Sequence, residues 1–466
     1  MEKFYVFIVG LNSFIWGYPV IITMFCLHLY ISYKTGFIQR KIFTGIKLSL
    51  QNKSYQDGQI SPFAALCVDL SGTVALGNVL GVSFGIILGG AGAVFWIFIA
   101  GMLGIATKYA ESLLIVKFRI KNQDGTTSGG MMYVIEQALK RKGIAVIYAI
   151  SLCISGMMLY GMFQVNEMTS LCFKRTGFSL EVILIAIALA CCIYKGIKSI
   201  SKVCVIVIPF MIILYALSCF VILAMNIKYL FPALSLIITQ AFSFKASIGG
   251  AAGIGMIAAI RYGVSKAVFS SESGFGTNSV ADATAKAKNP FQQALISSTG
   301  TFWDTCVCIL TGLIVVTTLC AQPNLPFNEG NLVWFLGIIF SKLPFGNTIL
   351  FCCIFLLTFS MMFEGAYIFE ISIKYLFSKI NPFFVRSFFV FLIMFAWVFP
   401  NKLWFTAELL EIFVMVPSAI TLFLLATMVS KETERYLSND KTDENTGFTS
   451  LNKNRSQNQN KIQIKL

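Results

Sequence analysis

The sequence is poor in charge. Only 12% of its 466 residues are Asp, Glu, Lys or Arg, whereas 57% are hydrophobic. Soluble domains carry about 25% charged and about 45–50% apolar residues, and disordered chains are less hydrophobic still. The composition therefore excludes a disordered chain and argues against a soluble enzyme. Because each crossing of a hydrocarbon core needs about 20 apolar residues, it predicts an all-α protein that spans a membrane many times.

Residue types typical of catalytic and metal sites are also scarce. The chain has one histidine, His28, and none of its thirteen cysteines forms a Cys-x-x-Cys pair. An intramembrane hydrolase would need paired Asp, a His-Glu zinc motif or a Ser-His pair. We therefore expect no enzymatic activity and no cofactor, and we interpret His28 and the cysteines as packing residues.

The net charge of +15 lies in short segments between the apolar runs. Alternate connections carry 21 basic residues, and the connections on the opposite side carry seven. Cytoplasmic connections are enriched in Lys and Arg, so the pattern predicts an amino terminus outside and a carboxyl terminus inside. The charge reports orientation and predicts no nucleic-acid partner.

Hydropathy predicts about eleven transmembrane helices, at residues 8–32, 61–88, 91–117, 145–172, 179–196, 203–226, 231–262, 291–321, 345–376, 384–400 and 403–429. Residues 1–429 would then form one transmembrane domain. Residues 430–466 are polar and are predicted to form a disordered cytoplasmic tail.

Two spans contain candidate breaks. The second has Gly72, Gly77 and Asn78 in an apolar run, and the seventh has polar residues and paired glycines between positions 242 and 253. Such glycines either let helices pack closely or unwind the helix, exposing amides that suit a carboxylate and carbonyls that suit a cation. The broken spans are five apart, which predicts a 5+5 inverted repeat of spans 2–6 and 7–11 after one extra amino-terminal helix. This arrangement is typical of secondary transporters.

Several motifs, in order, resemble those of the alanine or glycine:cation symporter family, whose members have a LeuT-type inverted-repeat fold. The motifs occupy residues 34–40, 71–78, 89–96, 108–114, 129–133, 260–276 and 300–305. The resemblance implies a multi-pass protein of the bacterial inner membrane. It further implies import of alanine or glycine coupled to Na⁺ or H⁺, with no partner expected beyond the substrate and membrane lipid.

The resemblance also implies a substrate site at the two breaks. Its residues would be Thr73, Gly77, Asn78, Gln164, Asn166, Phe242, Ser243, Ser247, Gly249 and Gly250. Gln164 and Asn166 either contact the substrate or form hydrogen bonds between helices. Glu272 and Asp282 are placed in a cytoplasmic connection, where Glu272 either meets a basic loop as a gate or is solvated.

The chain departs from the family at the implied cation site. Val74 and Ser360 would bind Na⁺, but Met361 replaces a hydroxyl residue next to Ser360 and Leu76 replaces another at the break. A thioether is a poor ligand for a hard cation. Asp69 either offsets this loss as a charged or proton-accepting coupling residue, or faces the cytoplasmic vestibule without a role in coupling. The alternative function is a channel, or a proton-coupled carrier of another small solute such as D-alanine or serine.

Overall fold

The computed structural model describes residues 10–12, 14–51, 58–122, 125–173, 179–243, 255–328, 330, 332–396 and 409–463. Almost all of its regular structure is helical. A short antiparallel hairpin pairs β1 (Ile120–Lys121) with β2 (Thr127–Ser128).

The helices follow one another through short connections. The first eight are α1 (Tyr18–Lys34), α2 (Ile42–Leu50), α3 (Pro62–Thr73), α4 (Leu80–Gly89), α5 (Ala93–Lys117), α6 (Met131–Ala138), α7 (Lys142–Met157) and α8 (Phe163–Phe173). The remainder are α9 (Leu180–Ile193), α10 (Ile197–Met225), α11 (Ile227–Phe242), α12 (Met256–Ser271), α13 (Pro290–Ala321), α14 (Leu332–Phe340), α15 (Gly346–Leu376), α16 (Pro382–Ile393) and α17 (Ile412–Gln463).

Within the described residues, six continuous helical segments are long and apolar enough to cross a membrane. Two bent pairs also qualify: α1 with residues 38–50, bent by 67°, and α3 with residues 76–89, bent by 60°. These segments support the prediction of a multi-pass helical membrane protein. The total of eleven spans and the orientation of the termini stay predictions.

The first predicted break is confirmed. The helix α3 ends at Thr73, and Ala75 is fully extended, with φ −129° and ψ −169°. A short 3₁₀ turn, Leu76–Asn78, precedes α4. The Asn78 side chain stabilises the turn, because its Oδ1 accepts a hydrogen bond from the Ala75 N–H at 2.9 Å. An asparagine that bonds the local backbone favours a turn over a continued helix.

A further interruption, which the sequence did not predict, follows the helix α12. The helix α12 is continuous to Ser271, and a 3₁₀ segment, Asn278–Thr284, follows it. Between them Gly274 and Gly276 have φ values of +101° and +78°, which side chains disfavour. This interruption packs beside the first one. The glycines and polar residues of the sequence predict a break at residues 242–253. The turn after α12 depends instead on the positive φ of Gly274 and Gly276.

The segment first predicted as the second break is only partly described. Phe242 ends α11 and Ser243 follows it, while Ser247, Gly249 and Gly250 lie outside the described residues. Phe242 is half-exposed and packs against Phe95 and Trp96 at the start of α5.

A buried ionic network connects α3, α5 and the second interruption. Lys108 Nζ lies 2.6 Å from Asp69 Oδ1 and 3.9 Å from Glu111 Oε1. Glu111 in turn accepts hydrogen bonds from the Gly274 N–H at 2.7 Å and the Ser279 hydroxyl at 2.6 Å. Lys108 and Glu111 are three residues apart on α5, a spacing that lets side chains on one helix face pair. The third member, Asp69, was not foreseen as a partner of Lys108.

The carboxyl-terminal helix α17 continues past position 430. Its Glu432 forms an ion pair with Lys117, and the Thr433 hydroxyl lies 2.8 Å from the Tyr109 hydroxyl. The first residues assigned to the tail therefore pack against α5. No side chain is described from residue 439 onward, and disorder there stays a prediction.

Replacing Lys108 by Met should destabilise the protein by about 3–5 kcal/mol, because it leaves two carboxylates buried without their cation. Thermal unfolding of the purified protein in detergent measures the loss. The control is Lys117→Met, whose partner Glu432 is partly exposed and whose loss should cost about 0–1 kcal/mol. Equal decreases in the unfolding temperature of the two variants would contradict this prediction.

Candidate functional site

A cavity of about 510 Å³ opens at the first break. Its wall is formed by the unwound segment, the start of α4, and parts of α8, α12 and α15. The lining includes Trp16, Gly72, Thr73, Ala75, Leu76, Gly77, Asn78, Leu159, Phe163, Gln164, Glu167, Lys266, Phe269, Ser270, Glu272, Met361 and Glu411. The volume lies within the range of about 300–1,000 Å³ that is typical of small-molecule sites.

The break presents backbone to this cavity. A Cβ atom built on Gly77 would meet no other atom within 4 Å, so the main chain borders open space there. The positive amino end of a helix favours anions, and the carbonyl end favours cations. The two half-helices α3 and α4 therefore bring both kinds of helix end to one cavity, next to Thr73 and Asn78.

Asp304 on α13 joins the two interruptions. Its Oδ1 accepts hydrogen bonds from Asn78 Nδ2 and from the Ser270 hydroxyl, each at 2.6 Å. Cys308 lies one turn further along α13, with its Sγ 3.3 Å from Asn78 Nδ2. Because Asp304 is almost fully buried, these donors stabilise its carboxylate in place of water. These partners are remote from Asp304 in the sequence, so no local pattern predicts them.

Glu272 also belongs to the cavity wall, which corrects its assignment to a cytoplasmic loop. Only 8% of the residue is exposed. Its carboxylate accepts hydrogen bonds from the Tyr160 hydroxyl and from the Thr277 hydroxyl. Asp282 is buried too and accepts from Gln293 Nε2 at 2.8 Å. Neither side chain lies in an exposed loop.

The two amides predicted in the fourth span separate in the structure. Gln164 lines the cavity and donates to the Leu159 carbonyl at 3.1 Å. Asn166 does not line it and donates to the Ala396 carbonyl at 3.1 Å. Asn166 therefore has the role of a hydrogen bond between helices, and only Gln164 is placed to meet a ligand. Phe242 likewise does not line the cavity.

The implied cation ligands lie where α15 passes the end of α3. The Ser360 hydroxyl is 3.4 Å from the Ser71 carbonyl oxygen and donates to the Leu357 carbonyl at 3.1 Å. Val74, the residue after α3, is buried next to this position. Met361 lines the cavity, and the Thr358 hydroxyl bonds its own helix at the Ile354 carbonyl.

Asp69 faces the interior of the helix bundle. It does not line the cavity, and Lys108 compensates its charge at 2.6 Å. The Ser297 hydroxyl approaches its second oxygen at 3.4 Å. Asp69 is therefore the ion-pair partner of Lys108 in this structure. It lies one turn before Thr73 on α3.

The cavity has charged residues that sequence reasoning missed. Glu167, Lys266 and Glu411 line it, and they come from three separate helical regions of the chain. Glu167 follows Gln164 by three residues, so the helical period alone could have placed it on the same face. The positions of Lys266 and Glu411 depend on how distant segments pack together.

Comparison with known proteins gives a consistent result. The model of the sodium:alanine symporter family matches residues 1–450. An uncharacterized transporter of Haemophilus influenzae is 34% identical over 92% of this chain and 95% of its own length. The sodium/alanine symporter AgcS of Methanococcus maripaludis is 33% identical over 91% of this chain and 95% of its own.

Among solved structures, that of MhsT in complex with L-phenylalanine has a TM-score of 0.56 at 12% identity. It covers 81% of this chain and 99% of MhsT. At this identity the likeness shows the fold alone, which is of the LeuT type. Together with the family match over nearly the whole sequence, it shows that the chain belongs to the sodium:alanine symporter family.

Proposed function

We propose that this protein imports a small neutral amino acid, alanine or glycine, in symport with Na⁺. Family membership makes it a cation-coupled amino-acid transporter; the substrate and the ion are the proposal. The single observation that carries it is the cavity at the break between α3 and α4, with a buried hydroxyl–carbonyl pair at the adjoining end of α3.

The substrate carboxylate would bind at the amino end of α4, beside Thr73 and Gly77. An anion is favoured there because the positive end of the helix dipole points toward it. Leu159, Phe163 and Phe269 form an apolar part of the wall, which suits a methyl group or a hydrogen atom as side chain. Gln164 and Glu272 are polar groups within the same wall and would face the ammonium group.

The cation would bind at the carbonyl end of α3, where Ser360 approaches the Ser71 carbonyl. Hard monovalent ions prefer oxygen ligands of this kind. Met361 favours a second candidate, a proton-coupled carrier of D-alanine or serine, because it replaces an oxygen ligand by sulfur. Coupling through Asp69 is part of that second candidate, and it would require the aspartate to exchange its contact with Lys108.

Uptake into proteoliposomes separates these functions. Radiolabelled L-alanine and glycine should accumulate under an inward Na⁺ gradient at least several-fold above uptake under a H⁺ gradient or none, because the ion and substrate sites adjoin. Protein-free liposomes are the control. Accumulation that follows only the H⁺ gradient supports the second candidate, and no substrate-dependent flux under any gradient refutes both.

Replacing Asn78 by Ala should reduce alanine uptake by about tenfold or more. The change removes the donor to Asp304 and the acceptor for Ala75, and an unsatisfied buried group costs about 1–3 kcal/mol. Uptake kinetics measure the effect. The matched control is Asn226→Ala. This change removes a buried 2.8 Å hydrogen bond to the Ile222 carbonyl, and Asn226 does not line the cavity. Uptake that falls equally in both variants would contradict a specific role for Asn78.

A further inference from the structure

A carboxylate that no function above uses lies against the end of α3. Glu364 follows Ser360 by four residues on α15, so the two side chains share one face of that helix. Glu364 is 2% exposed. A Cβ atom at position 72 would overlap its Oε2, so this carboxylate packs directly on the Gly72 backbone, and glycine is the residue that leaves room for it.

Only one of the two carboxylate oxygens is satisfied. In the amide orientation that suits its surroundings, Asn278 donates to Glu364 Oε1 at 3.2 Å and to Glu272 Oε2 at 3.1 Å. Glu364 Oε2 is buried and has no hydrogen-bond partner in the described part of the chain. Of the described lysines and arginines, none forms an ion pair with it. An ionised carboxylate buried in this condition is strongly unfavourable unless it binds a cation or a proton.

The surroundings are themselves electronegative. The last carbonyls of α3 carry the negative end of the helix dipole, and the Ser71 carbonyl oxygen faces the Ser360 hydroxyl at 3.4 Å. A second negative group at that place raises the potential energy of both, unless a positive ion lies between them. One carboxylate with neutral carbonyl and hydroxyl oxygens is the ligand type that hard cations prefer.

We propose that Glu364 is a direct ligand of the transported Na⁺, bound between the end of α3 and α15 together with the Ser360 hydroxyl. The proposal deepens the proposed function and rests on Na⁺ as the coupling ion. It supplies an oxygen ligand on the helix where Met361 lacks one. It also links ion to substrate, because Gly72 contacts Glu364 while Gly72 and Thr73 line the cavity.

Thermal unfolding in detergent without any amino acid tests the site. Wild-type protein is titrated with NaCl against choline chloride at constant ionic strength. We expect Na⁺ to raise the unfolding temperature of the wild type, and Glu364→Gln to raise the Na⁺ concentration at half effect at least tenfold. In choline chloride alone the Gln variant should be as stable as the wild type or more so, because it removes an uncompensated charge.

The matched control is Glu136→Gln on α6. Glu136 accepts a hydrogen bond from the Tyr375 hydroxyl and is partly exposed, so its variant should respond to Na⁺ like the wild type. An unchanged Na⁺ response in Glu364→Gln overturns the proposal. So does wild-type protein that is stabilised by protons and not by Na⁺, since Glu364 would then bind H⁺.

The uptake assay distinguishes failure of this proposal from failure of the proposed function. Na⁺-driven alanine uptake by both the wild type and Glu364→Gln, with equal Na⁺ dependence, overturns the role of Glu364 alone. Na⁺ stabilisation that Glu364→Gln abolishes, without uptake of alanine or glycine by the wild type, supports the ion site and refutes the proposed substrate.

Discussion

The hydrogen bonds to the Asp304 carboxylate are the interaction on which the cavity depends. Two helices are interrupted inside the bundle, and each interruption would leave backbone groups without partners if it were exposed to lipid. Asp304 binds Asn78 from one interruption and Ser270 from the last turn of α12, just before the other. The two unwound segments are therefore fixed to the same continuous helix, α13, and to each other.

A group of buried charged residues also connects α3 to its neighbours. Lys108 lies between Asp69 and Glu111, and Glu111 binds the backbone of Gly274 in the second interruption. Every member of this group is compensated by another. Glu364 differs, because one of its oxygens has no partner among the described residues. This unpartnered oxygen is the basis of the proposed ion site.

The sequence was sufficient to predict the break at Asn78 and did not predict the interruption after α12. Asn78 between glycines in an apolar run is a local signal, and the structure has Asn78 bonding Ala75 at that place. The second interruption depends on positive φ at Gly274 and Gly276, in a segment whose polar residues also resemble an ordinary loop. The segment is held in place by packing against α5 and α13, and most residues of these helices are remote from it in the sequence.

The sequence by itself determined the class of the protein, its membership of a transporter family and the position of one helix break, because composition, hydropathy and short motifs are local properties. Only the tertiary structure decided which polar groups meet. It placed Gln164 in the cavity and Asn166 outside it, paired Asp69 with Lys108, and set Glu364 against Gly72. Helix packing brings these residues together although they are far apart in the sequence. The periodicity of a single helix cannot predict contacts between separate helices.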